Sequence, residues 1–141
     1  MIFLDTSFLY PLFCADDPDH ERVRKVLESY RGRSPRELFL TTNHVIGETI
    51  TLVRMRPPKR HAAAVKLGER LYAEALARLH WATPEEERAA FEYFRRHQDK
   101  EYSFVDCLSF VVMEKLGMRE ALAVDEDFTH RFIARPGPAT S

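Results

Sequence analysis

Residues 102–117 read YSFVDCLSFVVMEKLG, with one aspartate, Asp106, set among Phe104, Val105, Leu108, Phe110, Val111, Val112, Met113 and Leu116. A helix apolar on nearly every side is a buried one. An ionised carboxylate within it is costly unless something pairs with it. Asp106 therefore either has a local partner or stands where the fold needs a negative charge. Ser103 lies three residues earlier, the spacing of a capping box, and Gly117 is placed to stop the helix.

Outward from this helix, short apolar runs alternate with helical patterns. "IFL" at 2–4 reads as a buried strand ended by Asp5, Thr6 and Ser7. A helix with Asp17 as cap and Pro18 in its first turn carries the stripe Val23, Val26, Leu27 and Tyr30. "LFLTT" at 38–42 is a second strand, followed by a helix from Asn43 that "RPP" closes. A longer helix is expected over 59–77, with Ala64, Leu67, Leu71 and Ala75 along one side, and a third strand at 77–82. Thr83, Pro84 and Glu86 supply cap, N1 proline and N3 glutamate for a helix to about His97. "ALAV" at 121–124 is a fourth strand, ended by Asp125, and "RFIA" at 131–134 a short fifth. Strands alternating with helices predict an α/β fold on a mostly parallel sheet. Residues 1–134 are expected as a single domain, and 135–141, ending "RPGPATS", as a flexible tail.

Bulk properties narrow the function classes. The chain has 141 residues, 45% hydrophobic and 30% charged, an ordinary globular balance. No apolar run approaches the ~20 residues of a membrane span, and the start has no basic n-region, so a soluble cytoplasmic protein is expected. Cys14 and Cys107 suggest neither a disulfide framework nor a zinc knuckle. A net charge of −1 gives no global positive field, but 16 of the 21 basic residues are arginine. Two clusters, Arg54, Arg56, Lys59 and Arg60, and Arg95, Arg96, His97 and Lys100, are candidates for phosphate contact against the plainer reading of solvated helix ends.

In open parallel sheets ligands bind beyond the carboxyl ends of the strands. Asp5 and Asp125 follow strands, Asp106 opens a helix, and Glu48 lies early in the helix after the second strand. Each has a bland reading as a cap, turn residue or helix-face acid, and Asp16, Asp17 and Asp19 are read only so. Four acids converging on one edge is the argument for a site. Carboxylates sharing a pocket repel unless cations neutralise them, and hard oxygen donors suit Mg²⁺ or Mn²⁺. Such ions activate water and stabilise the leaving oxygen of a phosphodiester. Thr6 and Ser7 are candidates to hold a water or phosphate oxygen, or simply to bond within the turn; Asp127 is a turn residue or secondary ligand.

"IFLDTS", the glutamate of "NHVIGETITL", "YSFVDCLSF" and "ALAVDEDF" together resemble the four ordered acidic motifs of PIN-domain nucleases, and are most similar to VapC-type toxins of type II toxin–antitoxin pairs. The resemblance spans residues 2 to about 134. It implies a PIN-like three-layer α/β fold with a five-stranded sheet in order 3-2-1-4-5 flanked by helices. It implies Asp5, Glu48, Asp106 and Asp125 as catalytic and metal-binding acids, assisted by Thr6, and Mg²⁺- or Mn²⁺-dependent endoribonuclease activity. It also implies a cognate antitoxin and a second copy of the chain as partners. The helices at 19–30 and 59–77, the latter with alanines at 62–64 that permit close approach, are expected to offer surfaces for them, against the plainer reading of packing on the sheet. Arg54, Arg56 and Arg60 are the candidate substrate contacts. The fourth motif commonly has Thr or Ser two residues before its aspartate; here Ala123 stands there, and Asp127 is placed to compensate.

Rival readings are weaker. A haloacid-dehalogenase-type phosphatase needs a second aspartate where Ser7 stands, no G-x-G-x-x-G run serves a dinucleotide, and His44 with Glu48 lacks a third zinc ligand. The non-enzyme alternative is a PIN-like module that binds RNA or protein without cutting.

Overall fold

Strands covered by helices on both faces must be apolar on both sides. Phe3, Leu4, Phe39, Leu40, Ala121, Leu122 and Ala123 meet that condition and are all buried. In the computed structural model, which describes residues 1–58 and 60–139, they form the central strands β1 (Ile2–Leu4), β2 (Phe39–Thr42) and β4 (Glu120–Ala123). The edge strands β3 (Arg78–His80) and β5 (Ile133–Pro136) leave Arg78, Ile133 and Arg135 exposed. All neighbours pair in parallel, in the order β3-β2-β1-β4-β5 that the resemblance implies.

Between the strands lie α1 (Thr6–Leu12), α2 (His20–Glu28), α3 (Pro35–Leu38), α4 (Asn43–Met55), α5 (His61–Tyr72), α6 (Pro84–Arg96) and α7 (Phe104–Lys115); a 3₁₀ turn (Glu126–His130) precedes β5. The helix that opened the sequence argument is α7. Six of its residues besides Asp106 are buried, and it packs against α6 while α4 packs against α5 and α1. Close approach of α4 and α5 uses Gly68, where a Cβ would come within 3.1 Å of Ile50 Cδ1. Gly117 ends α7 at a φ of +68°, a conformation that favours glycine.

Several boundaries differ from the sequence reading for physical reasons. The cap of α2 is Asp19, not Asp17: the Asp17 carboxylate accepts the Asp19 N–H and an Arg56 guanidinium, so the helix starts at His20. α5 stops at Tyr72, short of 77, because Glu74 turns the chain at a φ of +59° and its carboxylate accepts the Leu79 N–H and an Arg36 N–H. Ala75 is thus an exposed turn residue rather than part of the stripe. β5 takes in Arg135 and Pro136 from the stretch expected as tail, and the Gly137 N–H donates to the Ala123 carbonyl. Lys59 of the first basic cluster and tail residues 140 and 141 lie outside the described residues.

Candidate active site

Parallel strands followed by helices bring the chain back to one sheet edge, and the acids collect there. Asp5 caps α1, its Oδ2 accepting the Ser7 N–H at 3.0 Å. Asp106 is the N3 residue of α7 in a reciprocal capping box: its N–H donates to Ser103 Oγ and its Oδ2 accepts the Ser103 N–H. Asp125 caps the 3₁₀ turn by accepting the Asp127 N–H at 2.9 Å. Carboxylate oxygens of Asp106, Asp125 and Asp127 all lie within 4.8 Å of one another. Asp5 and Glu48 fall outside this trio but are near enough that the charges of Glu48 and Asp125 act on Asp5.

The group is electrostatically uncomfortable. Burial, reinforced by Glu48 and Asp125, pushes the Asp5 carboxyl up to about 6 despite its bonds from Ser7. Burial followed by the charge of Asp5 lifts Asp106 to about 7, with Asp125 and Asp127 adding to the rise. Burial and then Asp125 raise Asp127 as well. A cation bound among these acids would relieve their mutual repulsion. The donors are hard carboxylate oxygens without a histidine or cysteine among them, which suits Mg²⁺ or Mn²⁺ rather than zinc. Cys107 beside them is kept a neutral thiol, its pKa pushed up to about 11 by burial and by Asp106.

The expected helpers take particular places. Ser7 Oγ accepts the N–H groups of Val124 (2.9 Å) and Asp125 (3.1 Å), tying the end of β4 to α1 and aiming the Asp125 turn. Of its two readings, turn bonding is therefore occupied. Thr6 is buried, its hydroxyl donating toward the Val45 carbonyl and accepting from Thr49, so it locks α1 to α4. Asp127, read from sequence as secondary, is a full member of the tight trio. The signal was the D-x-D spacing of Asp125 and Asp127: a cap bonded to the residue two further on sets both carboxyls on one turn. Phe128 anchors that turn from behind, its buried ring 5.0 Å from Phe110 of α7 and 6.3 Å from Phe3 of β1. His44 pairs with Glu87 Oε1 at 2.7 Å and not with Glu48, which removes the zinc-like pair.

The arginines divide. Arg56 donates to Asp17 Oδ2 and to Tyr10 Oη, both at 2.9 Å, and Arg60 makes a two-pronged pair with Asp16 at 2.7 and 2.8 Å. Asp16 and Asp17 are thus ion-pair partners rather than caps. Arg54 stays exposed at the end of α4.

A parallel sheet in this order gathers acids from separate segments of the chain at its carboxyl edge, and the comparisons with known proteins give that arrangement a family. The chain belongs to the PIN domain family, which matches residues 2–131. It is 39% identical over 132 residues, 92% of each chain, to the 23S rRNA-specific endonuclease VapC20 of Mycobacterium tuberculosis. A VapC ribonuclease of Archaeoglobus fulgidus is 29% identical over 134 residues, 94% of this chain and 81% of the relative. The crystal structure of Mycobacterium tuberculosis VapC20, described as a sarcin–ricin loop cleaving toxin, matches at a TM-score of 0.81 with 38% identity, covering 92% of this chain and 94% of that one. FitAcB from Neisseria gonorrhoeae shares the fold, at a TM-score of 0.61 and 17% identity over 96% and 98% of the two chains.

Proposed function

We propose that this protein is a Mg²⁺- or Mn²⁺-dependent endoribonuclease and the toxin of a toxin–antitoxin pair, with ribosomal RNA as the first substrate to test. The observation that carries the reading is the carboxylate trio at the edge where Asp5 also stands, in a chain with a VapC20 relative. Asp5, Glu48, Asp106 and Asp125 hold the cation and perform catalysis, with Asp127 as a further donor. A divalent cation in such a site supplies Lewis-acid stabilisation of phosphoryl charge and activates water. Ser7 and the capping box at Ser103 keep Asp125 and Asp106 aimed, while α7 excludes water behind them. Arg54 remains available for a phosphate; Arg56 and Arg60 reach substrate only by giving up Asp17 and Asp16.

The protein works in the cytoplasm beside its RNA; among the described residues no helix is long and apolar enough to cross a membrane. A cognate antitoxin and a second copy of the chain are its protein partners. Their surfaces are α5, which leaves Val65 and Tyr72 exposed, and a groove of about 340 Å³ beside α2 lined by Leu12, Leu27 and Tyr30.

The test is incubation of purified protein with pooled cellular RNA in Mn²⁺, in Mg²⁺ and in chelator, alongside Asp5→Asn. Discrete fragments that need metal and vanish in the variant are expected. Folded, metal-binding protein that cuts nothing would favour the non-catalytic binding module.

A further inference from the structure

We propose that the RNA strand leaving the acid cluster runs over the N-terminal half of α6, where Arg88 holds a phosphate and Phe91 stacks a base; this rests on the nuclease reading above. Three links place α6 against the rim of the site. His44 sits four residues before Glu48 on α4 and pairs with Glu87 of α6. Its ring lies 6.0 Å from that of Phe104, two residues before Asp106. The Ala82 N–H, just ahead of α6, donates to Asn43 Oδ1 at the start of α4 at 2.8 Å.

Immediately beyond that rim, Pro84, Glu87, Arg88 and Phe91 line an open depression of about 410 Å³. Phe91 is 60% exposed and, among the described residues, stacks on no other ring. Trp81 is equally exposed but its indole already lies on Tyr72, at 6.2 Å and 23°. Arg88 is exposed and, among the described residues, has no acidic partner within salt-bridge distance, while Arg56 and Arg60 are engaged. Single-stranded RNA is gripped by this pairing, a free aromatic face for a base and a guanidinium for a phosphate. Of the two charged groups lining the depression, Glu87 is taken up by His44, and Arg88 is left without an acidic partner among the described residues, in direct continuity with the rim of the site.

The proposal is tested on the full chain, in chelator so that no RNA is cut, with a fluorescein-labelled single-stranded RNA of about a dozen nucleotides followed by anisotropy. Arg88→Ala and Phe91→Ala should each weaken binding by about 5-fold or more, and Phe91→Trp should keep it. Arg88→Ala should also lower the slope of log affinity against log salt by about one. Unchanged affinity in both alanine variants, or no binding by the unaltered protein, overturns the track. A Phe91→Ala change in sedimentation without a change in RNA affinity also overturns it and gives the face to a second copy. Failure of the nuclease reading is read separately, as absence of metal-dependent cleavage of pooled RNA.

Discussion

Asp106 is asked to cap a helix and to hold a charge among other charges, and the two demands leave different signatures. As a cap it needs only an acceptor for the Ser103 N–H, which asparagine also provides. As a ligand it needs ionisation, which burial and Asp5 oppose until the carboxyl titrates near about 7. Asp106→Asn should therefore abolish cleavage while leaving the metal-free protein at least as stable as the parent near neutral pH, measured by thermal melting. The same physics sets a pH dependence. A carboxyl whose folded-state pKa lies above its unfolded value binds a proton on folding between the two, so stability falls as pH rises through that window. With Asp5 raised from 3.8 to about 6 and Asp106 to about 7, the chelated protein should lose stability from about pH 4 to pH 7, by an amount on the order of a few kcal/mol. A bound cation favours the ionised forms, so saturating Mg²⁺ or Mn²⁺ should flatten the curve. A melting temperature that rises with pH across that window in chelator would contradict the assignment.

Two helices of the fold carry the same device with different consequences. α6 and α7 each start with a complete capping box, Thr83 with Glu86 and Ser103 with Asp106. Thr83→Ala and Ser103→Ala should each cost about 1 kcal/mol of stability by denaturant unfolding. Only Ser103→Ala should also reduce cleavage, because only its partner belongs to the acid site. Glu86 does further work in the fold: 2% exposed, it accepts the Thr83 N–H and bonds His80 and Lys115. Burial alone would lift its pKa, yet those bonds win and hold it down at about 2. Removing it as Glu86→Ala strands His80 and the Thr83 N–H and should cost about 2–3 kcal/mol, with cleavage rate retained in the folded fraction. At this scale α7 was readable from sequence because its apolar run is long and both its ends are marked. α1 and α3 were not. α1 is seven residues with Pro11 inside it, and α3 is four, too short to show a helical period.

At the scale of the molecule, the sheet order brings residues more than a hundred positions apart to one edge of the sheet. Asp5, Asp106 and Asp125 were legible because strand-ending and helix-starting acids of a parallel sheet share an edge, and the motifs repeat that placement in chain order. Asp127 was underrated because its place depends on how Phe128 seats the turn in the core. The partners of Arg56 and Arg60 were hidden for a similar reason: no local pattern shows that Asp17 reaches Arg56, or Asp16 reaches Arg60, across some forty residues of chain. Those pairs tie the segment ahead of α2 to the end of α4 and the start of α5. Arg56→Ala should accordingly lower the melting temperature, since it leaves a half-buried Asp17 without its partner, and should leave the salt dependence of RNA binding unchanged. A lowered salt slope would return Arg56 to the substrate surface.

The central claim is that this edge of the sheet exists to hold a divalent cation, and Mn²⁺ titration followed by electron paramagnetic resonance reads it without requiring a substrate. Wild-type protein should bind Mn²⁺ and Mg²⁺ should compete for the site. Asp106→Asn, shown to be folded by its melting curve, should lose at least about tenfold in affinity. An Asp106→Asn protein that binds Mn²⁺ as tightly as wild type would contradict the account.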